Sequence, residues 1–181
     1  MELAIRYLRA TDTAQASYID ATWFGDRGIS KADLDEFISR APDHAIAVVH
    51  DDVVYGFATF EVVESGSMPS SYTSTGMPLE GRVLFIQQFT TTQNYSGDMS
   101  VDIMLLDAVE VMAKKINCTV VAEALDSNHA YKKENNPDHD AFGFYRSRGY
   151  SLDSEHSWAW NNDDFPPVPC VLVYKNVETH V

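Results

Sequence analysis

Positive charge is scarce in this chain. Lys and Arg number 13 against 27 Asp and Glu, a formal charge of -14 over 181 residues. A field of that sign repels nucleic acid and anionic membranes, so neither is expected as a partner. It suits a cationic substrate, a basic protein, or simple solubility. Cysteine is almost absent too. Cys118 and Cys170 are the two, and no C-x-x-C pair exists to hold zinc or exchange thiols. Each sits near the start of a predicted strand, which points to two reduced, partly buried thiols. No apolar run approaches the roughly 20 residues of a membrane helix. Residues 1–6 lack the basic-then-apolar layout of a secretory signal. The expectation is a cytoplasmic protein. The six histidines show no H-x-x-x-H or similar ligand spacing, so no metal is expected. No P-loop, G-x-S-x-G or G-x-G-x-x-G occurs, which removes the nucleotide and serine-hydrolase motifs.

What is present reads as one α+β domain over 1–181. Hydrophobic residues make up 45% and charged residues 22%, a globular balance. An alternating stretch at 4–9 predicts a first strand. Thr11 and Asp12 offer an N-cap to a helix over about 13–23, with Ala14, Tyr18, Ala21 and Ile19 turned inward. Ser30 offers a second cap, to a helix carrying Leu34, Phe37 and Ile38 and ending before Pro42. Residues 45–50 and 53–63 read as a hairpin about Asp51 and Asp52. The stretch 64–82 reads as a long loop, and 83–89 as the fourth strand. A helix follows with an apolar stripe of Val101, Met104, Leu105, Ala108, Val111, Met112 and Ile116. Residues 118–125 read as a fifth, buried strand and 126–140 as polar turns. Two closing strands are predicted at 151–160 and 170–174.

Between them lies the most specific segment. Ala141, Phe144, Tyr145 and Arg148 share a helical face, and Gly149 stands where a helix C-terminus favours a left-handed residue. Tyr150 then starts a strand. The pattern A-x-x-F-Y-x-x-x-G-Y, together with the order of elements, resembles the GNAT superfamily of N-acyltransferases over nearly the whole chain. The resemblance implies a mixed, mostly antiparallel sheet flanked by helices, with a parallel splay between the fourth and fifth strands. It implies acetyl-CoA as co-substrate and acetyl transfer to a primary amine, on a small molecule or a protein. It makes Tyr145 the acid that protonates the departing thiolate. It also allows a homodimer through the last strands.

The resemblance gives the remaining roles as well. The main chain of Phe89, Thr90 and Thr91 would pair with the pantetheine arm. Ser96, Gly97, Asp98, Met99 and Ser100 fall where the family cradles the pyrophosphate on backbone N–H groups at a helix start. Of the family's R-G-x-G pattern only Gly97 matches; Met99 replaces the second glycine and Asp98 adds a carboxylate. Lys132, Lys133, Arg146 and Arg148 could offset that charge. Many relatives carry a glutamate base on the fourth strand. Gln87 and Gln88 stand there instead, which leaves Glu123, Glu61, Glu64 or a water held by a glutamine to take the amine's proton. A second reading keeps the fold without the catalysis, as a binding protein acting through its acidic surface.

Overall fold

The hairpin expected at 45–63 forms, with its turn at Asp51, whose φ of 51° is left-handed. The computed structural model describes residues 2–92, 99–130 and 140–178. Its strands are β1 (Ala4–Tyr7), β2 (Ala45–His50), β3 (Val53–Val63), β4 (Tyr72–Ser74), β5 (Val83–Thr91), β6 (Val120–Asp126), β7 (Ser151–Leu152), β8 (Trp158–Asn162) and β9 (Phe165–Asn176). Its helices are α1 (Thr13–Phe24), α2 (Lys31–Arg40), α3 (Met99–Lys115), α4 (Ser127–Ala130) and α5 (Ala141–Ser147). The class is α+β, as expected. The chain divides into two compact units, Met1–Phe60 with Gln87–Val111 and Glu61–Ile86 with Met112–Val181.

In the first unit β1 pairs antiparallel with β2, and β2 with β3. The end of β5 lies beside β3, where the Thr92 amide donates to the Tyr55 carbonyl at 2.9 Å. Leu8, Ala16, Ile19, Leu34, Ile38, Ala47, Val49 and Phe57 form its core. Ser30 caps α2 as expected, accepting from the Asp33 amide at 3.1 Å. The start of α1 differs from expectation. Asp12 closes a short 3-10 turn (Ala10–Asp12) and stands at the N-cap of α1, but its side chain makes no cap hydrogen bond to that helix. Its carboxylate instead accepts the Arg6 guanidinium at 2.6 and 3.1 Å and the Arg9 amide at 2.7 Å. The inward face of α1 also differs. Ala14, Tyr18 and Ala21 are exposed, while Ala16, Ile19 and Asp20 are buried. Apolar residues are too evenly spread around this helix for their spacing to select a side.

The same ambiguity affects α3. Val101 and Leu105 are buried as expected, but Val111 is 63% exposed and Leu106, Val109 and Ala113 are buried. The true stripe is rotated from the expected one, because apolar residues cover most of the helix circumference.

In the second unit the order is β5-β6-β9-β8-β4, with β7 on β9. β5 runs parallel to β6, Val83 opposite Val120 through Ile86 opposite Glu123. The parallel pair was expected between the fourth and fifth strands. The stretch read as a loop contains an extra strand, β4, held on β8, which shifts the numbering by one. Three residues give too short a period to read from sequence. The expected strand at 151–160 divides into β7 and β8, and β9 begins at Phe165 rather than 170. Pro166, Pro167 and Pro169 lie on β9 and are exposed, and so many prolines mask a strand. The core holds Val63, Leu79, Phe85, Val120, Ala122, Trp158 and Leu172. Trp158 stacks on Phe85 at 6.2 Å and Tyr72 tilts against it at 5.1 Å. Cys118 and Cys170 are buried and form no disulfide.

Candidate active site

The alternation of β6 sets the first side chain. Ala122 and Ala124 belong to the core of the second unit, so Glu123 between them projects to the opposite face. Glu123 is also the last residue of β6 in register with β5. The second side chain comes from α5. Asp140 caps that helix, accepting from the Gly143 amide at 3.2 Å. Gly149, at φ +88°, ends it in the left-handed conformation that glycine adopts without strain. The Tyr150 and Arg148 amides then both donate to the Tyr145 carbonyl at 3.0 Å. Tyr145 is 2% exposed. Its ring meets Tyr150 edge-on at 5.0 Å and Phe144 at 5.4 Å, which fixes its direction.

The two side chains meet. The Tyr145 hydroxyl donates to the Glu123 carboxyl. Burial pushes the carboxyl from an ordinary 4.5 up to about 8, with the phenol's hydrogen bond pulling the other way. Glu123 as a residue keeps partial exposure. The other carboxyls named from sequence are committed elsewhere. Glu61 accepts from the Ser70 amide at 2.5 Å, and Glu64 pairs with Arg82 at 3.0 Å. Gln88 accepts from the Thr59 hydroxyl. The pairing of Glu123 with Tyr145 was not legible from sequence, since 22 residues separate them.

The end of β5, also named from sequence, belongs to the first unit. Because the Thr92 amide is spent on β3, the strand's alternation turns the backbone groups of Phe89 and Thr91 to the other edge. The Thr91 carbonyl accepts the Trp23 indole N–H at 2.8 Å. The Thr91 hydroxyl donates to Asp102 at 2.9 Å and the Thr90 hydroxyl to Asp20 at 2.7 Å. Gly56 on β3 lies directly against this strand. A Cβ there would stand 2.9 Å from Thr91 Cγ2 and 3.1 Å from the Thr90 carbonyl oxygen. Asp20 is a polar core residue that sequence reasoning missed; a single Asp in a helix of weak amphipathicity reads as solvent-facing.

Ser96, Gly97 and Asp98 of the expected phosphate segment lie outside the described residues, as do Lys132 and Lys133. Met99 and Ser100 are the first two residues of α3. Arg146 stands in the last turn of α5 and is exposed.

No family model matches the sequence, and no curated protein matches it. Solved structures do match. Ard1 from Thermoplasma volcanium superposes with a TM-score of 0.68 at 14% identity, over 98% of this chain and 99% of that one. Naa50 from Arabidopsis thaliana, solved with the bisubstrate analogue CoA-Ac-MVNAL, gives 0.64 at 17% identity, over 97% and 99%. The GphF GNAT-like decarboxylase, solved with isobutyryl-CoA, gives 0.70 at 13% identity, over 97% and 100%. At such identities the likeness is one of fold: the chain has the GNAT fold.

Proposed function

We propose that this chain is an acyltransferase that moves acetyl from acetyl-CoA to a primary amine, on a small molecule or a protein. The observation that carries the reading is the hydrogen bond from Tyr145 to a glutamate whose affinity for protons is raised into the neutral range. Two of the structures that share the fold were solved with ligands containing coenzyme A, which supports acetyl-CoA as the co-substrate. The thiols Cys118 and Cys170, which form no disulfide, suit a reducing compartment such as the cytoplasm.

Attack of an amine on a thioester releases one proton at nitrogen and requires one at sulfur. Glu123 and Tyr145 are matched to that exchange. With Glu123 ionised, the phenol proton is turned to the carboxylate. As nitrogen bonds to the acetyl carbon, Glu123 takes the amine's proton. A protonated carboxyl donates, so the bond between the two groups reverses and frees the phenol proton. When the carbon–sulfur bond breaks, the thiolate takes the proton of Tyr145, and Tyr145 recovers one from Glu123. The amine's proton ends on coenzyme A and both residues return to their starting state. A base near pH 8 is well matched to work around neutrality.

In this reading the backbone of Phe89 and Thr91, on the open edge of β5, pairs with the pantetheine arm, while that of Thr90 faces β3. The N–H groups from Ser96 to Ser100 take the pyrophosphate, the last two of these residues opening the 17-residue α3. The acidic composition favours a cationic acceptor. Thermal unfolding with acetyl-CoA tests the first half: a ligand at 100 times its dissociation constant adds about 2.7 kcal/mol of stability. Mass spectrometry of a panel of amines and N-terminal peptides tests the second. Unchanged unfolding at millimolar acetyl-CoA would sink the reading.

A further inference from the structure

The proton exchange above leaves several buried carboxyls unused, Asp20 among them. Asp20 lies on α1 and is 3% exposed. Its Oδ1 accepts the Thr90 hydroxyl at 2.7 Å, and its Oδ2 accepts the Ile29 amide at 2.7 Å. The Ile29 carbonyl accepts the Ser17 hydroxyl at 2.8 Å. Both backbone groups of Ile29 are thus held by side chains of α1. The turn between α1 and α2 lies flat on that helix. A Cβ at Gly28 would stand 3.1 Å from the Ala21 Cα and nitrogen and 3.2 Å from the Asp20 carbonyl carbon, so any side chain there would lift the turn away.

One turn along the same face of α1, the Trp23 indole donates to the Thr91 carbonyl at 2.8 Å. Consecutive residues of β5 are therefore gripped by two α1 side chains, one through its hydroxyl and one through its carbonyl. That carbonyl faces the edge of β5 turned away from β3. A carboxyl buried among an amide and a hydroxyl costs desolvation that an apolar side chain would avoid. Its return is geometric: it joins three segments at one point.

Resting on the acyl-CoA reading, we infer that Asp20 is a positioning residue, which couples the α1–α2 turn to the strand that receives acyl-CoA. Ligand on β5 then orders the turn, and an ordered turn tightens the ligand, because coupling is reciprocal. Asp20→Asn keeps the connection. Its amide N–H donates to the Thr90 oxygen, its carbonyl accepts from Ile29, and the Thr90 hydroxyl hydrogen rotates away.

The test is calorimetric binding of acetyl-CoA, steady-state kinetics and amide hydrogen exchange on the full chain. Asp20→Ala and Thr90→Val should raise the dissociation constant and KM for acetyl-CoA about tenfold, with kcat within about threefold. Asp20→Asn should bind within about threefold of wild type. Acetyl-CoA should slow exchange of the Ile29 amide in wild type and Asp20→Asn, and leave it unchanged in the other two. Thr90→Val is close to isosteric and keeps the test decisive if Asp20→Ala does not fold. A folded Thr90→Val chain with wild-type affinity and wild-type protection at Ile29 would overturn this inference alone. Failure of the wild-type chain to bind acetyl-CoA would overturn the acyl-CoA reading and this inference with it.

Discussion

Asp20 and Glu123 are both carboxyls that burial pushes upward, and each belongs to a different unit of the chain. Their partners differ in kind. Asp20 is saturated by an amide and an aliphatic hydroxyl, neither of which gives up its proton near neutral pH. Glu123 accepts from a phenol, a much stronger acid than either. Desolvation alone therefore does not mark a group for proton transfer; the partner's chemistry does. Asp12 supplies a third case. Burial would raise it, but the Arg6 guanidinium and the Arg9 amide hold it below the usual carboxylate range. A cation makes a buried carboxylate permanent, fixed donors make it structural, and an ionisable donor makes it exchangeable.

The largest expected effect separates the exchangeable acid from the structural one. Tyr145→Phe and Glu123→Gln should each lower kcat by about 10²–10⁴-fold, with acetyl-CoA affinity little changed. Asp20→Asn should leave kcat within about threefold. In wild type, kcat/KM should rise with pH along a limb near the raised value of about 8 for Glu123, and Glu123→Gln should lose that limb. Rates from stopped amine-acetylation assays decide it. A comparable loss of kcat in Asp20→Asn would erase the distinction.

Next in size is a stability effect with a definite sign. Glu123 binds its proton more tightly folded than unfolded, so the folded state is favoured at low pH. That contribution is complete below the unfolded value of 4.5 and is lost as pH rises through about 8. Glu123→Gln removes the penalty. The variant should be more stable than wild type at pH 9, by roughly 2–3 kcal/mol after discounting for the residue's partial exposure. The gap should close towards pH 4.5. Urea unfolding at several pH values measures it, and a gap independent of pH would show that Glu123 does not titrate as its burial implies.

These acids also mark how far the sequence could be read. Gly149 and Ser30 were legible because their roles are local: a positive φ and a side-chain cap each depend on a few neighbouring residues. Tyr145 was legible through the A-x-x-F-Y-x-x-x-G-Y pattern and the family resemblance it carries. The α+β class and the sequence of elements followed from periodicity and turn residues, apart from β4, the division of 151–160 into β7 and β8, and the proline-bearing start of β9. The faces of α1 and α3 were not legible, because a helix with apolar residues on several sides fixes its rotation only by tertiary packing. Asp20 and the partner of Glu123 were hidden for the same reason. A hydrogen bond across 70 residues of chain, as between Thr90 and Asp20, leaves no spacing to detect.

The smallest effect runs in the opposite pH direction and completes the comparison. The side chain of Arg6 is 18% exposed and that of Asp12 is 4% exposed, so the pair is only partly screened. Arg6→Met keeps much of the buried stem but leaves the carboxylate to the Arg9 amide alone. At neutral pH the loss should be about 1–2 kcal/mol, between an exposed pair and a charged hydrogen bond in a protein interior. Because Asp12 is held below its ordinary 3.8, its contribution is present above that pH and fades as pH falls through the folded value. The difference between wild type and Arg6→Met should therefore shrink in acid, where the difference for Glu123→Gln has already closed, and persist at pH 9, where the latter is widest. If both differences moved the same way with pH, the cation beside Asp12 and the phenol beside Glu123 would not be the groups that set their charge.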